Sequence, residues 1–100
     1  FYIRVINFLR KKYDKNYKIV IFSQGKKSEF QEIIDLNDLN INFHLDGDWR
    51  IAHYSLVRAP IMVCSISEFA WTAGLLSEGI VYKNERMFRK PLQTWKKLEI

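Results

Sequence analysis

Short apolar runs at residues 17–22, 40–45, 61–64 and 80–82 alternate with amphipathic stretches along this 100-residue chain. Runs of three to six largely apolar residues bounded by Gly, Asp, Asn or Pro read as strands. The stretches between them carry apolar residues at helical spacing and read as helices. The resulting order is α-β-α-β-α-β-α-β. Strands that alternate with helices call for crossover connections and a parallel sheet. The expected fold is α/β, a Rossmann-like parallel sheet with helices on both faces, in a single domain over residues 1–100.

The first helix spans residues 1–13, with Tyr2, Val5, Ile6, Leu9 and Tyr13 on one side and Arg4, Asn7 and Lys11 away from it. Asp14-Lys15-Asn16 is a turn. The strand at 17–22 is nearly all apolar after Lys18, which predicts burial on both faces. It ends in Ser23-Gln24-Gly25. Ser28 is expected to cap a short helix with Phe30, Ile33 and Ile34 inward. The strand at 40–45 closes in Asp46-Gly47-Asp48. Asp48 is placed to cap a third helix running to Arg58, with Trp49, Ala52, His53 and Leu56 on a shared face and Pro60 as its stop. After the strand at 61–64 a helix is expected over 67–78, burying Phe69, Thr72, Ala73 and Leu76, with Gly79 as its C-cap. The basic tail from Lys83 is predicted to end in a helix started by Pro91 and carrying Trp95 and Leu98.

The C-terminal ends of these strands are Ser23-Gln24-Gly25, Asp46-Gly47, Ser65-Ile66-Ser67 and Lys83-Asn84, all polar or small. Ligands of parallel α/β sheets bind outside such ends. The third is the most informative. Ser65 and Glu68 have the S-x-x-E spacing of a capping box, and Ser67 is a second possible cap. A strand that runs into a capped helix presents backbone N–H groups at a positive dipole end, where phosphates tend to bind. In the bland reading Ser65 and Ser67 are caps, Glu68 completes the box, and Phe69 is core or cleft wall. His53 falls on an apolar face and reads first as packing. His44 precedes Asp46 on a strand, a weak candidate for acid–base work. Asp46 and Asp48 are weak metal candidates, since such turns are common. Gly25 belongs to no G-x-G-x-x-G, so a dinucleotide fingerprint is absent.

The net charge is +5 and the isoelectric point about 9.4. That balance suits an anionic ligand such as a nucleotide sugar, an acidic polymer, nucleic acid or an anionic membrane surface. Arg10-Lys11-Lys12, Lys26-Lys27, Arg86, Arg89-Lys90 and Lys96-Lys97 read as scattered, solvated helix ends and loops. No stretch reads as the interleaved basic and aromatic platform of a nucleic-acid binder, so no nucleic-acid partner is expected. The basic first helix leaves membrane association open. The lone cysteine, Cys64, excludes an internal disulfide and reads as an inert small hydrophobe. No Cys/His spacing suggests zinc. No run approaches the ~20 apolar residues of a membrane span.

The stretch Ser65-Ile66-Ser67-Glu68-Phe69-Ala70-Trp71-Thr72-Ala73-Gly74-Leu75-Leu76 resembles the Ser-Asn-Ser-Ser-Phe-Ser-Trp-Trp-Ala-Ala-x-Leu motif of α-1,2-fucosyltransferase-like glycosyltransferases. Ile21-Phe22-Ser23-Gln24 resembles that family's strand ending in Phe-Ser-Asp-Asp, and residues 52–64 resemble the helix and strand that lead into the serine motif. The likeness covers residues 17–82. It implies the GT-B fold, with this chain as the C-terminal, donor-binding half, preceded by a missing Rossmann-like half. It implies that Ser65, Ser67 and Phe69 line a nucleotide-diphosphate site, with Glu68 beside them. Ser23, Gln24 and Gly25 would border the cleft, and Asp46 and His53 are further candidates. The expected ligands are a nucleoside diphosphate sugar, GDP-fucose or another, and an acceptor glycan, with no separate cofactor and no metal. Glu68 and Ala70 stand where the family has hydroxyls. The family's His-x-Arg-x-Gly-Asp motif is nowhere in this chain, so it is expected to lack a complete catalytic site. The expected location is cytoplasmic or membrane-peripheral. Two other functions fit the same residues: a non-catalytic α/β binding module, and a nucleotide-sugar epimerase-like enzyme.

Overall fold

The computed structural model describes residues 2–64, 68–84 and 92–98. It is an α/β structure in which every strand pairing is parallel, Rossmann-like in character. The strands pair as a two-stranded ladder and a three-stranded ladder. The chain forms two compact units, residues 1–47 and 48–99.

In the first unit, α1 (Tyr2–Lys12) leads to β1 (Ile19–Ser23). A 3-10 turn (Lys27–Phe30) and the short α2 (Gln31–Ile34) then connect to β2 (Ile41–Leu45). β1 and β2 run in register from Ile19↔Ile41 to Ser23↔Leu45. Period-two geometry sends Ile19 and Ile21 to one face, and there Ile6, Ile21 and Ile33 form the buried centre. Phe30, Ile41 and Phe43 pack around it. Val20 is exposed, so β1 is buried on one face and not on both as its composition predicts. Ser28 does not cap a helix. It lies within the 3-10 turn, whose N-cap position is Lys26 with no side-chain bond.

In the second unit, α3 (Trp49–Arg58) starts at the expected cap: the Asp48 carboxylate accepts the Arg50 N–H at 2.9 Å. β3 (Ile61–Val63) precedes α4 (Glu68–Leu76), and β4 (Ile80–Lys83) pairs with both β3 and β5 (Lys96–Lys97). Met62, Cys64, Ala70, Ala73, Val81 and Trp95 make the core. Two expectations are corrected here. Pro91 lies outside the described residues, but the chain beyond it forms a turn, closed by Trp95 N–H on the Leu92 carbonyl, and then strand β5, not a helix. α4 buries Ala70 and Ala73, while Thr72 is exposed and Leu76 is 61% exposed. The small residues face inward because Trp95 occupies that side. A Cβ at Gly74 would stand 2.7 Å from the Trp95 ring and 3.0 Å from the Cys64 sulfur. Gly79 is no C-cap either. α4 ends three residues earlier, and Gly79 sits against the Ala59 and Pro60 carbonyls where β3 and β4 begin to pair.

Candidate functional site

The ends of β1 and β2 are locked to each other. Asp46 follows β2 with φ +53°, and its N–H donates to the Ser23 carbonyl at 3.0 Å. Gly25, at φ +105°, turns its own N–H onto both carboxylate oxygens of Asp46, at 3.1 and 3.2 Å. A residue with a Cβ adopts that φ only under strain, so glycine is what lets the amide reach the carboxylate. Ser23, Gln24, Gly25 and Asp46 therefore stand together at one strand edge. The half-buried His44 turns to Phe22 (ring centroids 5.2 Å apart), while the Asp46 carboxylate turns to Gly25. This edge presents a carboxylate with open lone pairs. It is suited to accepting ligand hydroxyls, and its one glycine amide is already engaged.

The second strand end is β3, which leads through residues 65–67 into α4. Ser65 and Ser67 lie outside the described residues, as does the side chain of Glu68, the first residue of α4. Phe69 is described. Its ring meets the His53 ring edge-on, with centroids 5.3 Å apart and planes at 68°. His53 Nε2 lies 3.2 Å from Thr72 Oγ1, and that hydroxyl donates its single proton to the Phe69 carbonyl at 2.9 Å. The His53–Thr72 hydrogen bond joins α3 to α4, its direction set by the imidazole tautomer. His53 and Thr72 thus hold both the ring and the carbonyl of Phe69 at the start of α4. Helical spacing alone puts Thr72 in the core. Its role becomes visible only once α3 packs on α4.

Two further groups define the local electrostatics. The Arg10 guanidinium grips Asp38 through Nε at 2.7 Å and Nη2 at 3.2 Å, and it donates to the Tyr17 carbonyl at 2.8 Å. Those bonds, with help from the Asn40 N–H, hold the Asp38 carboxyl below its ordinary value. No feature of the sequence points to this pair, because its members are 28 residues apart. The fully buried Cys64 is pushed up to about 11 by desolvation, and its Sγ lies 3.5 Å from the Ala70 carbonyl. Such a thiol is inert at neutral pH. Among the described residues, no group of His, Cys, Asp and Glu is arranged to hold a metal ion. None of the described helices is long and apolar enough to cross a membrane.

Comparison with known protein families, curated proteins and solved structures finds no match to this chain.

Proposed function

We propose that the chain is the nucleotide-sugar-binding part of a GT-B glycosyltransferase of the fucosyltransferase-like kind. The observation that carries the reading is the passage from β3 into α4. There Ser65 and Ser67 fall in the sequence between β3 and a helix whose first-turn Phe69 is held in place by His53 and Thr72. The parallel pairing of β3 with β4 supports it. In this reading Ser65, Ser67 and the amides that open α4 take the diphosphate. Phe69 offers a ring to the base or the sugar.

In the reaction the bond between the anomeric carbon and the diphosphate oxygen breaks. The diphosphate keeps the electron pair. An acceptor hydroxyl oxygen forms the new glycosidic bond, and its proton passes to solvent. The share of this chain is electrostatic: donors fixed before the reaction stabilise charge that grows on the leaving group. The remaining partners in this proposal are the acceptor glycan and an N-terminal Rossmann-like half supplying the arginine that this chain lacks.

A second reading, a non-catalytic module derived from such a domain, is favoured by Glu68 and Ala70 at motif positions that otherwise carry hydroxyls. Thermal unfolding with GDP, UDP and their sugars separates the two. A ligand at ten times its Kd adds about 1.4 kcal/mol to the folded state, or roughly 5–10 °C for a chain of this size. A shift that disappears in Ser65→Ala/Ser67→Ala supports the donor site. A folded chain that shifts with none of the nucleotides supports the module.

A further inference from the structure

The nine residues from Arg10 to Lys18 carry five cations and one carboxylate, a net +4 of the chain's +5. Read linearly they look like one solvated helix end among several. Folded, they make a single surface. Tyr13 N–H continues the helix onto the Leu9 carbonyl, and Tyr17 N–H closes a turn on the Asp14 carbonyl. That turn stacks the Tyr13 and Tyr17 rings, with centroids 6.4 Å apart and planes at 28°. Lys11, Lys12, Lys15 and Lys18 are exposed on the same segment, with Lys12 Nζ 5.7 Å from the Phe8 ring centroid, and Tyr17 is itself 55% exposed.

The turn is pinned from beneath. Arg10 holds the Tyr17 carbonyl, and Asn40 Nδ2 donates to the Lys15 carbonyl at 3.3 Å. The nearby carboxylates are engaged locally: Asp14 accepts the Asn16 N–H at 2.8 Å, and Asp38 is gripped by Arg10. Cations at the C-terminal end of α1 are favoured by its dipole. Lys15 and Lys18 lie beyond the helix, and a run of like charges this dense in the chain attracts an anion.

We infer that this surface binds an anionic glycan chain. Its outward cations are all lysines, compact point charges that suit separate carboxylates or sulfates. Its exposed aromatic ring has a negative face that attracts the C–H face of one sugar ring. A nucleic-acid single strand is served differently, by successive aromatic faces for successive bases; here the two rings stack on each other. Because the turn is already ordered, little conformational freedom is lost on binding. The surface lies at the N-terminal end of β1, and Ser23 to Gly25 lie past its C-terminal end. The inference therefore stands independently of the donor-site proposal.

The test is fluorescence anisotropy of a labelled heparin oligosaccharide of defined length, titrated at low salt with the full chain and three variants. Lys11→Gln/Lys12→Gln/Lys15→Gln/Lys18→Gln is expected to raise Kd about tenfold or more. Tyr17→Ala should raise it about threefold. Lys26→Gln/Lys27→Gln/Lys96→Gln/Lys97→Gln removes the same charge elsewhere and should raise it less than about twofold. Circular dichroism confirms that each variant is folded. Equal losses in the two quadruple variants would assign binding to diffuse net charge and overturn the inference. So would absence of binding. A thymidine oligonucleotide of matched charge that displaces heparin at lower concentration would assign the surface to nucleic acid and overturn it as well.

Discussion

At the scale of single residues, three groups have measurable consequences. Gly25 combines a left-handed φ with an amide bonded to Asp46, and an added Cβ would meet the Glu29 carboxylate. Gly25→Ala is expected to cost about 1–2 kcal/mol in urea denaturation. Asp38 has its folded pKa lowered, chiefly by the Arg10 hydrogen bond. The stabilisation from a lowered carboxylate is present above its ordinary value of 3.8 and is lost as pH falls through the folded value. Asp38→Asn should cost about 1–2 kcal/mol at pH 7, as for a charged hydrogen bond with partial solvent access. It should also flatten the acid limb of the stability curve. Cys64 runs the opposite way. Its folded pKa is raised from 9.0 to about 11, so stability is full below the ordinary value and falls as pH rises through that window. A Cys64→Ala variant should lack that alkaline slope, and the native thiol should resist a disulfide reagent at neutral pH until the chain is unfolded.

At the scale of elements, the signals that local spacing reads correctly are those written within one turn. Asp48 caps α3 because its carboxylate needs only the amide two residues on, and sequence spacing shows that directly. Periodicity misplaces the buried face of α4 for a non-local reason. The apolar residues of that helix cover most of its circumference, so periodicity cannot choose among faces. Packing against Trp95 and Cys64 chooses the side made of Ala70, Ala73 and Gly74. Trp95→Ala should therefore cost about 3–5 kcal/mol. Gly74→Val should cost about 1–3 kcal/mol by overpacking. Leu76→Ala, on the exposed side, should change stability by less than about 0.5 kcal/mol. Urea unfolding of the three variants checks the order. The tail mimics a helix in sequence because Trp95 and Leu98 are spaced as on one. Strand β5 draws its stability from a partner distant in sequence: Tyr82↔Lys96 and Lys83↔Lys97 are its paired positions.

At the scale of the whole molecule, net positive charge and polar strand ends make one expectation about ligands. On the proposed donor-site reading, affinity for a nucleoside diphosphate should fall as salt rises, because screening weakens attraction between charges, and affinity for the uncharged nucleoside should not. Calorimetry at two ionic strengths checks this. The amino-acid sequence by itself determined the alternation of helices and strands as far as β4 and the parallel α/β class. It also determined the cap of α3 and the inertness of the single cysteine. Each depends on residues within a turn or two of one another, where hydrophobic period and side-chain chemistry act directly. Only the tertiary structure decided that Asp46 holds the Gly25 amide and that His53 and Thr72 set the position of Phe69. It alone decided that Arg10 neutralises Asp38 and that Trp95 selects the inner face of α4. Those partners are separated by 19 to 28 residues or packed across elements. Their meeting depends on how strands pair and helices pack, which no local pattern encodes.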